Sequence, residues 1–115
     1  MANPEVTIDV RRPAAGIKIL DIQGEITGSA EGTLMAAYGA AGSEARTIIL
    51  NLSKVPSIDS LGAGLLIALL AAVRKRKQRL LAYGLSEPCQ RAFRLTHLDE
   101  AVGLYPDEAE ALGSL

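Results

Sequence analysis

The sequence predicts an α/β fold: a small mixed, mostly parallel sheet of four to five strands flanked by about four helices. Three observations lead there. Short, β-branched apolar runs alternate along the chain with segments of helical periodicity. The first two apolar runs are separated only by turn residues, as in a hairpin. The 115 residues fall below the ~150 of a common domain prior but suffice to bury a core without metals or disulfides. One domain over residues 1–115 is the expectation.

Val6, Ile8 and Val10 alternate with Thr7, Asp9 and Arg11, the period of a half-buried strand. Pro13 to Gly16 supply turn chemistry, and Ile17 to Gln23 reads as the antiparallel partner. There Ile17 and Ile19 point one way while Leu20 and Ile22 point the other. Either a bulge or burial on both faces accounts for this. Ser29 is placed to cap a helix running to about Ala41, with Ala30, Leu34, Ala37 and Ala41 on one stripe. Gly32 and Gly39 oppose that helix by about 1 kcal/mol each relative to Ala, and Gly42 suits its stop. Thr47 to Leu52 (TIILNL) has the character of a central strand covered on both sides.

Ser60 to Lys75 carries the strongest helical pattern, and Leu80 to Leu85 reads as another buried strand. Ser86, Glu87 and Pro88 open a short helix through Leu95. Ala101 to Tyr105 reads as a last strand. Pro106, Asp107 and Glu108 open a terminal helix, with acids at its positive end. Such alternation implies parallel pairing through right-handed crossovers after the initial hairpin.

Composition removes several functions. Twelve Lys and Arg against thirteen Asp and Glu give a net charge of −1, unlike a general nucleic-acid binder. The basic cluster Arg74, Lys75, Arg76, Lys77 and Arg79 has no aromatic platform beside it and reads as a solvated helix end. Cys89 is the sole cysteine, so neither an intrachain disulfide nor a Cys-based zinc site is available. It shares an apolar stripe with Phe93 and reads as core. His97 is the sole histidine, which excludes a two-histidine metal site; it reads as a surface or capping group. Glu25 and Asp59 are candidate neighbours, but spacing gives no carboxylate separation. Nothing here supports catalysis, and no cofactor is expected.

Glu5 and the lack of an early apolar run argue against a secretory signal. The longest uncharged stretch, Ser60 to Val73, is fourteen residues, short of the ~18 that suggest a membrane span. A cytoplasmic location is expected.

The distinctive segment is residues 55–67, VPSIDSLGAGLLI, which follows the central strand and enters the strongest helix. Ligands of open α/β sheets favour the ends of strands at such places. Ser60 lies at the helix N-terminus, where a phosphate would be comparatively well tolerated. Gly62 and Gly64 leave the first turn bare for close approach by another molecule. The same residues also suit a purely structural role: Ser60 and Asp59 are both favoured N-caps, and glycines permit tight packing. No Gly-Lys-Ser/Thr follows the glycines and no G-x-S-x-G occurs, so this is neither a phosphate-binding loop nor a nucleophile elbow. Leu61, Leu65 and Leu69 form one stripe, Leu66, Leu70 and Val73 another, and Ala63, Ile67 and Ala71 fill much of the remainder. A helix apolar all round is either fully buried or offers an outer face to a partner. Partial exposure near Ser60 is the expectation.

The segment 51–66, NLSKVPSIDSLGAGLL, resembles the signature of STAS domains, especially bacterial anti-sigma factor antagonists. The resemblance extends over nearly the whole chain, through Gly24-Glu25-Ile26-Thr27, the strand Thr47 to Leu52, and the ending from Leu85-Ser-Glu-Pro to Leu98-Asp-Glu. It implies a small sheet flanked by helices. It further implies a regulatory partner switch. In such proteins the serine after the motif aspartate, here Ser60, is phosphorylated by an anti-sigma factor serine kinase. The unphosphorylated form binds that kinase and frees the sigma factor; a PP2C-type phosphatase restores it. ATP belongs to the kinase. The resemblance assigns partner contact to Thr27, Gly28, Ser57, Asp59, Ser60, Leu61, Gly62 and Gly64, without direct nucleic-acid or membrane binding, in a monomer or weak dimer.

Two positions depart from the family pattern. Leu61 stands where a second Ser or Thr is frequent, removing an alternative acceptor and enlarging the apolar contact. Thr27 stands where many members carry a partner-facing Asp. Ser57 is a fallback acceptor whose place does not fit the motif. Competing readings are a stressosome-like scaffold using the same fold, and a small nucleotide-binding protein, which the missing phosphate loop disfavours.

Overall fold

The computed structural model describes residues 6–42 and 44–115. The segment 1–5, inspected for a secretory signal, lies outside them. Five strands form one sheet in the order β1-β2-β3-β4-β5: β1 (Thr7–Ala14), β2 (Ile17–Gln23), β3 (Thr47–Lys54), β4 (Arg79–Tyr83) and β5 (Gly103–Tyr105). β1 and β2 are antiparallel and the remaining neighbours parallel. Four helices accompany them: α1 (Glu31–Ala41), α2 (Ser60–Lys75), α3 (Glu87–Leu95) and α4 (Glu108–Gly113). The mixed sheet and the four helices agree with the architecture expected from sequence.

Sequential strand order has a consequence for layering. Right-handed crossovers between consecutive parallel neighbours all return over the same face. α1, α2 and α3 accordingly share one side, packed with Leu20, Ile22, Ile48, Leu50 and Leu52 in the larger core. α4 alone covers the other side, where Ile19, Ile49, Leu81 and Tyr83 meet Ala111. β2 and β3 are therefore buried on both faces, which resolves the pattern of Ile17 to Ile22 as regular alternation. Register against β3 shifts only later, between Asp21 and Gln23. The order never reverses, so the sheet has no switch-point crevice of the doubly wound kind.

Several boundaries differ from the sequence reading. Ser29 does not cap α1. Thr27 caps a 3-10 turn, Gly28–Ala30, and α1 begins at Glu31. Thr27 has the extended backbone a cap needs, whereas Ser29 is already inside the turn. β1 continues through Pro13 to Ala14, tolerable because an edge strand leaves that missing N–H unpaired at no cost. β4 stops at Tyr83 instead of Leu85, because Gly84 takes φ +75° with its α-carbon pressed on Ser53. β5 begins at Gly103, not Ala101, after a 3-10 turn at Leu98–Glu100. Gly32 and Gly39 sit on α1 where an added Cβ would meet nothing, so their cost is propensity alone.

The thinly covered face is tied down by charge. Arg11 on β1 pairs with Asp21 on β2 and reaches Glu108 on α4 at 2.6 Å. Tyr83 of β4 donates to Glu108 at 2.8 Å, and Asn51 of β3 donates to Asp21 at 2.8 Å. Hydrogen bonding to Arg11 holds Asp21 and Glu108 below their ordinary carboxylate values. Burial, reinforced by Glu108, pushes Tyr83 up to about 12. Because the two acids bind protons less readily when folded, their contribution is complete above the ordinary carboxylate range of about 4 and drains away below it. Arg11→Met is expected to lower stability near neutral pH by about 1 kcal/mol or less, the pairs being partly exposed. It should also flatten the loss seen on acidification; urea titrations at about pH 7 and about pH 3 measure both effects.

Candidate functional site

The site forms where the β2–α1 loop meets the β3–α2 loop. The Ile26 N–H donates to the Ser57 carbonyl at 3.1 Å, and the Asp59 N–H donates to the Ile26 carbonyl at 3.1 Å. Ile26 and Ile58 thereby form an isolated parallel bridge beyond the sheet. Both loops leave the C-terminal ends of adjacent parallel strands, which is why they meet.

Asp59, with extended backbone, is the N-cap of α2, and its Oδ1 accepts from the Gly62 N–H at 2.7 Å. Of the two cap candidates, the aspartate takes the role. Ser60 is the first helical residue, exposed, and among the described residues its hydroxyl makes no hydrogen bond. Asp59 meets one of the N–H groups that a helix start leaves free, so the serine is not needed as the cap. The hydroxyl is left free at the surface.

The two glycines differ in purpose. Gly62 is buried, and a Cβ there would sit 2.6 Å from the Ile26 carbonyl carbon and closer still to its oxygen. Its bare α-carbon lets the two loops close and offers no open approach to a partner. Gly64 is exposed, and a Cβ there would meet nothing within 4 Å. Gly62→Ala is expected to destabilise the domain by at least ~2 kcal/mol through this backbone overlap. Gly64→Ala should stabilise it by about 0.5–1 kcal/mol from helix propensity. Denaturant midpoints of the two variants separate these roles.

Around Ser60 the outer face of α2 is apolar. Leu61 is 69% exposed and Ile67 46%, with Gly64, Ala68 and Ala71 also open. Leu66, Leu69 and Val73 turn inward, so the helix is half-buried, with the partial exposure near Ser60 that the sequence led us to expect. Gly28 abuts Leu61, its Cβ position 3.1 Å from the Leu61 Cδ1. Thr27 lies beside it with its Oγ1 2.8 Å from the Ser29 hydroxyl. Capping by Thr27 is a task that Asp performs equally well, which gives a physical reason for either residue there. Ser57 is half-buried in the loop.

A groove of about 590 Å³ runs between α2 and α3, with Asp59, Ser60 and Ala63 on one wall and Glu87, Pro88 and Arg91 on the other. Leu95, 75% exposed, stands at its rim. Ser86 caps α3 and also donates to the Pro56 carbonyl at 3.1 Å. Cys89 is fully buried; burial pushes its thiol up, and the S–H donates to the Val55 carbonyl at 3.4 Å. These contacts lock α3 to the loop that carries Ser60. Sequence reasoning placed Cys89 in the core correctly but missed Arg91 and Leu95, whose relation to Ser60 exists only across the groove.

His97 lies outside the site, in a left-handed conformation and paired with Glu100 at 2.6 Å. Arg74 and Lys75 occupy the exposed last turn of α2, and Arg76 stacks over Tyr38 at 5.0 Å. Among the described residues no three His, Cys, Asp or Glu side chains group closely enough to hold a metal ion. None of their helices is long and apolar enough to cross a membrane.

The STAS domain family model matches residues 9–111, including every residue assembled above. The chain belongs to the STAS domain family. An anti-sigma factor antagonist from Mycobacterium paratuberculosis is similar to it at 25% identity and a TM-score of 0.81, over 96% of this chain and 93% of that one. A sulfate transporter family protein from Wolinella succinogenes is similar at 23% and 0.80, over 90% and 88%. The Bacillus cell fate determinant SpoIIAA in its phosphorylated form is similar at 19% and 0.73, over 94% and 98%. No curated protein matches the chain at the sequence level.

Proposed function

We propose that this STAS domain, acting as one unit over its 115 residues, is a cytoplasmic anti-sigma factor antagonist that works by partner switching. The unphosphorylated form binds an anti-sigma factor serine kinase and releases the sigma factor. Phosphorylation of Ser60 ends binding, and a PP2C-type phosphatase reverses it. The observation that carries the reading is the exposed, unbonded Ser60 hydroxyl beside the bare apolar face of α2. Similarity to an antagonist at 25% identity, and to SpoIIAA captured with phosphate, supports it.

Thr27, Gly28, Ser57, Asp59, Ser60, Leu61 and Gly64 form the contact surface, with Gly62 beneath as its support. Phosphorylation adds about −1.5 to −2 charges. Inside an apolar contact that charge has to be desolvated or the contact has to open. A difference of ~3 kcal/mol between the two forms changes affinity by more than a hundredfold. The fold survives because the modified residue lies at an exposed helix start.

Candidate kinases from the same genome, incubated with the domain and Mg-ATP, provide the test. Peptide mapping is expected to find phosphate on Ser60; phosphate on Ser57 or elsewhere with Ser60 unmodified would overturn the assignment. Calorimetry with the responsive kinase should show that Ser60→Ala binds regardless of ATP. Ser60→Asp should bind more weakly by tenfold or more, roughly 1.4 kcal/mol, one carboxylate charge being less than phosphate carries.

A further inference from the structure

We propose that Arg91 is the intramolecular partner of phosphate on Ser60, drawing it across the groove onto α3. The inference rests on the phosphorylation proposed above and concerns what the phosphate does next. Three charged side chains line the groove with Ser60: Asp59, Glu87 and Arg91. Arg91 is the sole cation among them. It is exposed and, among the described residues, makes neither a hydrogen bond nor an ion pair, not even with Glu87 one turn earlier on its own helix. A guanidinium so placed has its full fork of donors available for the oxygens of a phosphate.

The helix start supplies less: among the described residues only its Ser60 and Leu61 N–H groups remain unpaired. Asp59 Oδ1 already takes the Gly62 N–H at 2.7 Å, and the Asp59 carbonyl takes the Ala63 N–H at 2.8 Å. A dianion on Ser60 therefore arrives beside the carboxylates of Asp59 and Glu87 with one cation to balance three anions. Arg91 is also held ready. Ser86 and Cys89 fasten the first turn of α3 to the loop before Ser60, so the guanidinium approaches from a helix that does not have to move. Pairing brings the phosphate over Ala63 and Pro88 and closes the mouth of the groove. Phosphorylation then changes the shape of the surface as well as its charge.

The test uses the full chain with phosphoserine installed at position 60 during translation, so that no kinase is required. The phosphorus resonance is followed by NMR from about pH 4 to about pH 8, spanning the phosphate's second ionisation near 6. Arg91→Gln should raise that ionisation by about 0.5 units or more, a roughly threefold change in proton affinity, and Arg91→Lys should restore part of the difference. Arg94→Gln is the control, because Arg94 lines a separate cavity with Tyr105 and Asp99. Equal titration of the natural, Arg91→Gln and Arg91→Lys chains, or an equal shift in Arg94→Gln, overturns the proposal. Failure of every kinase to modify Ser60 would sink the switch while leaving this titration intact; flat titrations with an active kinase would sink the Arg91 pairing alone.

Discussion

The carbonyl of Ile26 comes so close to the start of α2 that only a residue without a side chain fits opposite it. That approach determines where Ser60 stands. It allows the Asp59 N–H to bond Ile26, which fixes the extended backbone of Asp59 and so makes it the cap. With the cap satisfied by aspartate, serine is free to be the first helical residue and keep its hydroxyl outward. A side chain at Gly62 would push the loops apart and disturb each of these relations at once.

The layering of the sheet explains why so small a domain has surface to spare. Three helices share one face and cannot each be covered on their outer side, so α2 retains an exposed apolar flank. An enclosed helix would have no such flank, and one with a polar outer face would offer little to a partner. The opposite face carries only α4, six residues long, and compensates with the Arg11–Asp21–Glu108–Tyr83 network. Anchoring by charge on that side supplements what little apolar area α4 covers.

α3 contributes through position more than through bulk. Ser86 serves simultaneously as helix cap and as a donor to the loop before Ser60, and Cys89 seals the same junction from below. A hydroxyl and a thiol thus fasten a short helix as a wall of the groove that Ser60 lines. This wall carries Arg91 and Leu95, which share the groove with Ser60.

Much was legible from residue order alone. Alternating and helical periodicities announced four to five strands, about four helices and the hairpin start, because burial imposes those periods on any chain that folds this way. The helix start around Asp59 and Ser60 was legible because capping chemistry is local, acting within one turn, but it left open which of the two is the cap. Local pattern failed at Ser29, where Thr27 two residues earlier had the better backbone, and at Leu85, where packing of Gly84 on Ser53 ended the strand. It also left Gly62 and Gly64 indistinguishable. Which glycine faces a neighbouring carbonyl, which flank of α2 meets solvent, and which arginine shares a groove with Ser60 depend on contacts between distant segments, and those exist only once the sheet has brought the loops together.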